Sequence, residues 1–226
     1  MLRAVIFDFD GVITDSEVLH LRSFNQVLGQ YGIKITTGDY YRDYLGLTDL
    51  DLLNLLVDRG RLELGDREIK NLAEQKERVF EELAKTEGRI IEGVRDFLEM
   101  LRQNNIPMAI CSGALLAEIE MILEESQLRS FFDVIVSAEQ VEKGKPNPEG
   151  FLMTLQKLNE KSRNSTLASQ CIVIEDSHWG LEAAKAAGMH TIAITNSYDA
   201  DQLALAEKVV NHLGQLSISE LQELCG

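Results

Sequence analysis

An α/β protein, with a three-layer Rossmann-like core around a parallel sheet and a helical cap domain inserted after the first strand, is the fold class this sequence predicts. Three observations carry that expectation. Short runs that are apolar on both faces recur along the chain, as strands sandwiched between helix layers must be. Amphipathic segments of helix length separate most of them, the alternation of right-handed βαβ crossovers. One interval, between the first run and the second, is far longer than an ordinary crossover and lacks the β-branched pattern of strands.

The first run is Ala4–Phe7 (AVIF), and four follow it: Ile106 to Cys111 (IPMAIC), Val134 to Val136, Cys171 to Ile174 (CIVI) and Thr191 to Ile194 (TIAI). The long interval reads as helices. From Glu17 to Tyr31, Val18, Leu21, Phe24 and Leu28 recur at helical spacing, and Gly32 ends the segment as a C-cap. Asp49 to Asp58 and Asp66 to Ala84 repeat the type. Residues 15–88 are therefore expected to form the helical cap, and residues 1–14 with 89–226 the α/β core. Gly93 to Asn104 predicts the core helix that feeds the second strand, and residues 118–126 a helix burying Ile119, Ile122 and Leu123. Residues 161–170 read as a polar loop. A cap over a core makes a cleft, and ligands of such sheets bind outside the carboxyl ends of the strands.

Composition narrows the partners. Thirty-seven Asp and Glu against twenty-two Lys and Arg leave a net charge of −15, a field that repels nucleic acid and anionic lipid surfaces. An anionic substrate then needs local positive charge, from a metal ion or a well-placed lysine. The odd cysteine count, Cys111, Cys171 and Cys225, with the first two in or beside apolar runs, points to a reducing compartment. No run approaches the length of a membrane span, and Asp8 interrupts the N-terminus before a signal-peptide apolar region forms. A cytoplasmic protein is expected, and a monomer, because a cap must open and close.

The stretch VIFDFDGVITDS, residues 5–16, sets Asp8 and Asp10 at the carboxyl end of the first strand. An i, i+2 spacing in extended chain aims both carboxylates the same way. Such crowding is relieved by a bound cation, a shared proton or both, although acids ahead of Gly11 also suit a turn. The run CIVI ends in a second pair, Glu175-Asp176, placed to ligate a metal or, with Ser177, to cap a helix. Carboxylate oxygens with room for water fit Mg²⁺ better than zinc. IPMAIC ends in Ser112-Gly113 before a helix expected from Ala114, so a hydroxyl and backbone N–H groups meet one rim; that suits an anion, and equally a helix cap. In KGKPNPEGF, residues 143–151, two prolines stiffen the chain and hold Lys145 ahead of a helix. His178 and Trp179 follow the second acidic pair, where packing between core helices is their expected role. Joint occurrence is the signal: an acid pair, an oxygen-ligand pair, a hydroxyl and a constrained lysine at successive strand ends are what phosphoryl transfer needs.

In that order the chain resembles the haloacid dehalogenase-like hydrolases, mostly phosphatases and phosphomutases. DFDGVITDS looks like their first motif, CSG their second, Lys145 in GKPNPEGF their third and VIEDSHWGLEAAKAAGM their fourth. The resemblance implies Asp8 as the nucleophile that forms an aspartyl-phosphate and Asp10 as the acid and base. It implies Mg²⁺ held by Asp8, Glu175, Asp176 and the backbone carbonyl of Asp10, with Ser112 and Lys145 on the remaining phosphoryl oxygens. His20, in DSEVLHLRSFNQVL, sits where the β-phosphoglucomutase-like subgroup has its cap-hinge histidine, and with Gly46 and Gly113 is expected to bind substrate. The cap departs from that subgroup. Mutases carry a lysine before the glycine of YLGLTDLD and an arginine three residues after it; here those positions hold Leu45 and Asp49. An aspartate repels the second phosphate that an arginine grips. The expectation is thus an Mg²⁺-dependent phosphatase acting on a small phosphate monoester, a sugar phosphate or similar metabolite. The mutase remains its alternative, with Arg22 and Arg42 as other grips. A phospho-accepting signalling module is the rival from another class; its usual length is about half this chain, without a cap. Metal-free dehalogenation does not need the acids kept here, and a phosphonatase needs a cap lysine for which Lys34 has no supporting context.

Overall fold

The computed structural model describes residues 1–45, 47–87, 90–162 and 165–226, the side chains of 85–87 excepted. The chain divides into two compact units, Met1–Asp15 with Arg89–Gly226, and Ser16–Gly88.

The first unit is built on a six-stranded sheet. Its strands are β1 (Ala4–Phe7), β2 (Met108–Cys111), β3 (Val134–Val136), β4 (Cys171–Glu175), β5 (His190–Ile194) and β6 (Lys208–Val210). They run in the order β3-β2-β1-β4-β5-β6, and every pairing is parallel. β1, β2 and β4 are buried throughout, which explains why their sequences are apolar on both faces instead of alternating. Successive side chains still take opposite faces. Ala4 and Ile6 join Ala109, Cys111, Phe151, Ala183 and Ala184 on one side. On the other, the Phe7 ring meets Phe97 and Phe132 edge-on, at 6.1 and 5.9 Å between centroids. Burying a side chain of that size contributes about 1.5–3 kcal/mol.

Among the described residues five α-helices complete this unit: α5 (Val94–Gln103), α6 (Leu116–Glu125), α7 (Glu149–Lys161), α8 (His178–Ala186) and α9 (Ile218–Leu224). In α5, Val94, Phe97, Leu98 and Leu101 form the apolar stripe that the sequence pattern requires. The strand order reverses between β1 and β4, each side having grown outward from the centre. At such a point the loops after neighbouring strands diverge and leave a crevice at their carboxyl ends. The register puts the ends of three strands side by side there, with Phe7, the last residue of β1, opposite Ile110 and Ile174, each one short of its own strand's end.

Among the described residues the second unit holds four α-helices, α1 (Glu17–Leu28), α2 (Thr37–Asp43), α3 (Asp49–Asp58) and α4 (Asp66–Glu87). Thr36 and Thr48 cap α2 and α3, accepting from the N–H groups of Asp39 and Asp51. Phe24, Leu28, Tyr40, Leu52, Leu53, Leu56, Ile69 and Leu72 make its own apolar core.

Several expectations are corrected. The segment from Glu17 to Tyr31 is α1 to Leu28 followed by one 3₁₀ turn, Gly29–Tyr31, before Gly32 takes φ +67°. Val18 is 44% exposed and outside the apolar stripe. Helix α6 begins at Leu116, not at Ala114, because Ser112 and Ala114 close a turn first. Strand β6, α2 and α9 have no counterpart in the sequence reading; each is too short to show a period.

Candidate active site

Asp8 is the first residue past β1, and its N–H still donates to the carbonyl of Ile174 at 2.9 Å. That bond extends the ladder by one step and fixes the backbone below the carboxylate. Asp8 Oδ1 lies 2.7 Å from Lys145 Nζ, which also reaches Glu175 Oε1 at 2.5 Å. Asp8, Glu175 and Asp176 are all buried, and each presents an oxygen within 4.8 Å of the others. The sequence motifs at the ends of β1 and β4 and in the loop before α7 thus meet at one place.

The charge balance of this cluster explains its titration. Three carboxylates face one ammonium in a site that water hardly enters. Burial pushes the Asp8 carboxyl up to about 7; Lys145 opposes that, while Glu175 and Asp10 add to it. Burial, followed by Glu175 and Asp8, holds Asp176 well above the usual carboxylate range. Burial works against the charge of Lys145, but Asp8 and Glu175 outweigh it and keep the ammonium above its ordinary range. One lysine does not neutralise the group. A divalent cation would, and a set of buried carboxylate oxygens without nitrogen or sulfur donors is the chemistry that hard cations such as Mg²⁺ select.

Local packing locks the acids in place. The second Glu175 oxygen, Oε2, accepts from the backbone N–H groups of Asp176 and Ser177 and from Ser177 Oγ, each at 2.9 Å. Ser177 in turn caps α8 by accepting from Gly180 N–H. A Cβ at position 180 would sit 1.7 Å from Glu175 Oε1, so glycine is what lets the helix approach the carboxylate. Asp10 is half-buried in a tight turn whose Phe9 carbonyl accepts from the N–H groups of Ile13 and Thr14 at 2.8 and 3.1 Å. Gly11, at φ +74°, passes so close to Asp176 that a Cβ would come within 1.7 Å of Oδ2. Asp176 Oδ2 itself accepts a hydrogen bond from Ser197 Oγ.

Ser112 follows β2 and is held by its N–H to the Val136 carbonyl at 3.0 Å. Its Oγ accepts from Ala114 N–H at 3.0 Å, which leaves the hydroxyl proton to donate. Gly113 beside it is exposed.

The remaining candidates belong to the helical unit. His20 stacks on Phe80 at 4.1 Å, and its Nδ1 lies 2.7 Å from Lys76 Nζ. An ammonium has no lone pair, so Nδ1 accepts and the ring proton is on Nε2. Lys76, wholly buried, also reaches Asp49 Oδ1 at 2.8 Å and lies over the Phe24 and Phe80 rings at 5.0 and 5.1 Å. Burial, reinforced by Lys76, holds His20 well below its ordinary value. Gly46 lies outside the described residues. Trp179, expected to pack between core helices, is 47% exposed; the corresponding inward position of α8 is taken by Gly180.

Sequence reasoning passed over Lys76, Asn196 and Ser197. For Lys76 a signal existed, since Ile69, Leu72, Lys76 and Phe80 follow helical spacing and the lysine interrupts an apolar stripe. Asn196 and Ser197 follow the fifth apolar run at a strand end of the same sheet, where polar residues merit the attention given to the other ends.

With this arrangement in view, the comparison with known proteins is direct. The haloacid dehalogenase-like hydrolase model matches residues 5–194, and the chain belongs to that family. Among individual relatives, it is 36% identical over 194 residues to a phosphorylated carbohydrates phosphatase of Thermotoga maritima, covering 84% of each chain. It is 28% identical to hexitol phosphatase B of Escherichia coli K12, over 97% of this chain and 96% of the relative. A solved β-phosphoglucomutase from Clostridium difficile superposes with a TM-score of 0.82 at 27% identity, over 100% of this chain and 97% of that one.

Proposed function

We propose that the protein is a cytoplasmic Mg²⁺-dependent phosphatase that hydrolyses a small phosphate monoester, a phosphorylated sugar or sugar alcohol, through an aspartyl-phosphate. The observation that carries this reading is the buried group of Asp8, Glu175 and Asp176 gathered around Lys145 at the sheet's switch point. Sugar-phosphate phosphatases among the relatives support the substrate class.

Asp8, Glu175 and Asp176, with the backbone carbonyl of Asp10, would hold Mg²⁺, whose charge when bound lowers the repulsion between the phosphoryl oxygens and the carboxylates. Asp8 attacks phosphorus, forming an acyl-phosphate bond as the ester P–O bond breaks. Asp10 gives its proton to the departing alkoxide and then, as a carboxylate, takes one from the water that attacks the aspartyl-phosphate. That second attack breaks the bond to Asp8 and releases inorganic phosphate. Lys145 balances the phosphoryl charge, Ser112 donates its hydroxyl proton to a phosphoryl oxygen, and Gly113 contributes a backbone N–H. The helical unit takes the role of the cap, with His20 and Gly46 as its candidate substrate-binding residues. The chain works as a monomer.

The mutase alternative has the structural likeness to β-phosphoglucomutase in its favour. Against it stands Asp49, a carboxylate already engaged with Lys76 at a position where an arginine would grip a second phosphate.

The test is phosphate release from an aryl phosphate and from a panel of phosphorylated sugars and sugar alcohols. Release should require Mg²⁺, stop in chelator, and fall in Asp8→Asn by at least about a thousandfold, the scale of losing a nucleophile. Undiminished turnover in chelator or in that variant removes the mechanism. Robust conversion of β-glucose 1-phosphate to the 6-phosphate would instead establish the mutase.

A further inference from the structure

Two side chains beyond β5 reach the site from a third direction. Ser197 Oγ donates to Asp176 Oδ2. Its neighbour Asn196 donates from Nδ2 to the Gly11 carbonyl at 2.7 Å, inside the turn that carries Asp10. Their loop is tied to the sheet edge. Thr195 N–H donates to the Val210 carbonyl of β6 at 3.1 Å, and Thr195 Oγ1 donates to Asn211 Oδ1 at 3.0 Å. Nothing fits between the parts so joined, because a Cβ at Gly11 would lie 1.7 Å from Asp176 Oδ2 and 3.0 Å from Ser197 Oγ.

We propose that Asn196 and Ser197 form a two-point brace that sets the Asp10 turn and the Asp176 carboxylate at a fixed spacing, so that general acid and metal ligand are aligned by one loop. The inference rests on the phosphatase reading and deepens it. Both are positioning residues. The hydrogen bond from Ser197 to Oδ2 restrains the carboxylate, so that Oδ1 is the oxygen left to take the cation. A hydrogen bond of this kind to a ligating carboxylate typically changes metal affinity ten- to a hundredfold. Asn196 acts on the other partner: by holding the Gly11 carbonyl it places Asp10, the adjacent residue, whose carboxyl is the general acid.

The two contacts therefore have separable signatures. Calorimetric titration of Mg²⁺ into the substrate-free protein should show binding roughly tenfold weaker in Ser197→Ala. Its kcat should recover toward wild type at saturating Mg²⁺. Ser197→Thr, which keeps the hydroxyl, should restore the affinity. Asn196→Ala should instead keep a lowered kcat, at unchanged KM, even at the saturating Mg²⁺ that restores Ser197→Ala. Thermal unfolding of the three variants checks that the fold is intact. Wild-type affinity in Ser197→Ala, a threonine variant as weak as the alanine, or full kcat in Asn196→Ala overturns the brace while leaving the phosphatase reading in place. Failure of the wild-type protein itself to take up Mg²⁺ overturns both.

Discussion

Single side chains show how far burial governs this protein. His20 is held well below its ordinary 6.5 by burial and by the neighbouring Lys76 ammonium, so the folded ring stays neutral where the unfolded chain takes up a proton. The stability that this neutral ring contributes is full above pH 6.5 and is lost as pH falls through the region below it. Urea unfolding at about pH 7.5 and about pH 5 should show a loss of stability in the wild type that shrinks in His20→Gln. Equal losses in both proteins would refute the argument. Lys76 is the harder residue to have foreseen. A wholly buried lysine is tolerated only with partners, and those come from three separate segments: His20, Asp49 and the Phe24 and Phe80 rings. His20 and Asp49 each stand out in sequence for other reasons, and only the packed helical unit makes them one group with Lys76.

Among the elements, β4 and α8 illustrate how a motif becomes geometry. The tight passage Glu175-Asp176-Ser177 ends a strand, supplies two carboxylates and caps a helix within three residues. Gly180 completes it by letting α8 lie against Glu175. In Gly180→Ala the better helix former gains about 1 kcal/mol. Overpacking against a carboxylate held by four hydrogen bonds costs about 1–3 kcal/mol, and the cost should prevail. The thermal midpoint should drop by a few degrees, roughly 2–4 °C per kcal/mol for a chain of this size, and half-maximal activity should need more Mg²⁺. A variant as stable and as active as wild type would show that the helix moves away at no cost. Strand β1 was legible because its burial on both faces leaves a continuous apolar run. The edge strand β6, with Lys208 and Val209 only half-buried, carries too little of that signal.

Across the whole molecule, charge sets the terms on which substrate arrives. A net charge of −15 repels a phosphate dianion at distances beyond the site. Added salt shortens that reach to about 8 Å at roughly 0.15 M. At constant free Mg²⁺, kcat/KM for an anionic ester should therefore rise between about 0.01 M and about 0.15 M salt. A fall instead would mean that local positive charge around Lys145 dominates the encounter. The sequence by itself determined the class of sheet, the acidic and lysine motifs and their order, because buried parallel strands and strand-end chemistry both leave local, readable patterns. Only the tertiary structure decided that Lys145 bridges Asp8 and Glu175, that Ser197 binds Asp176, and that Lys76 joins His20 to Asp49. Those pairings unite residues far apart in the chain, and their energies come from shared burial, which no local pattern encodes.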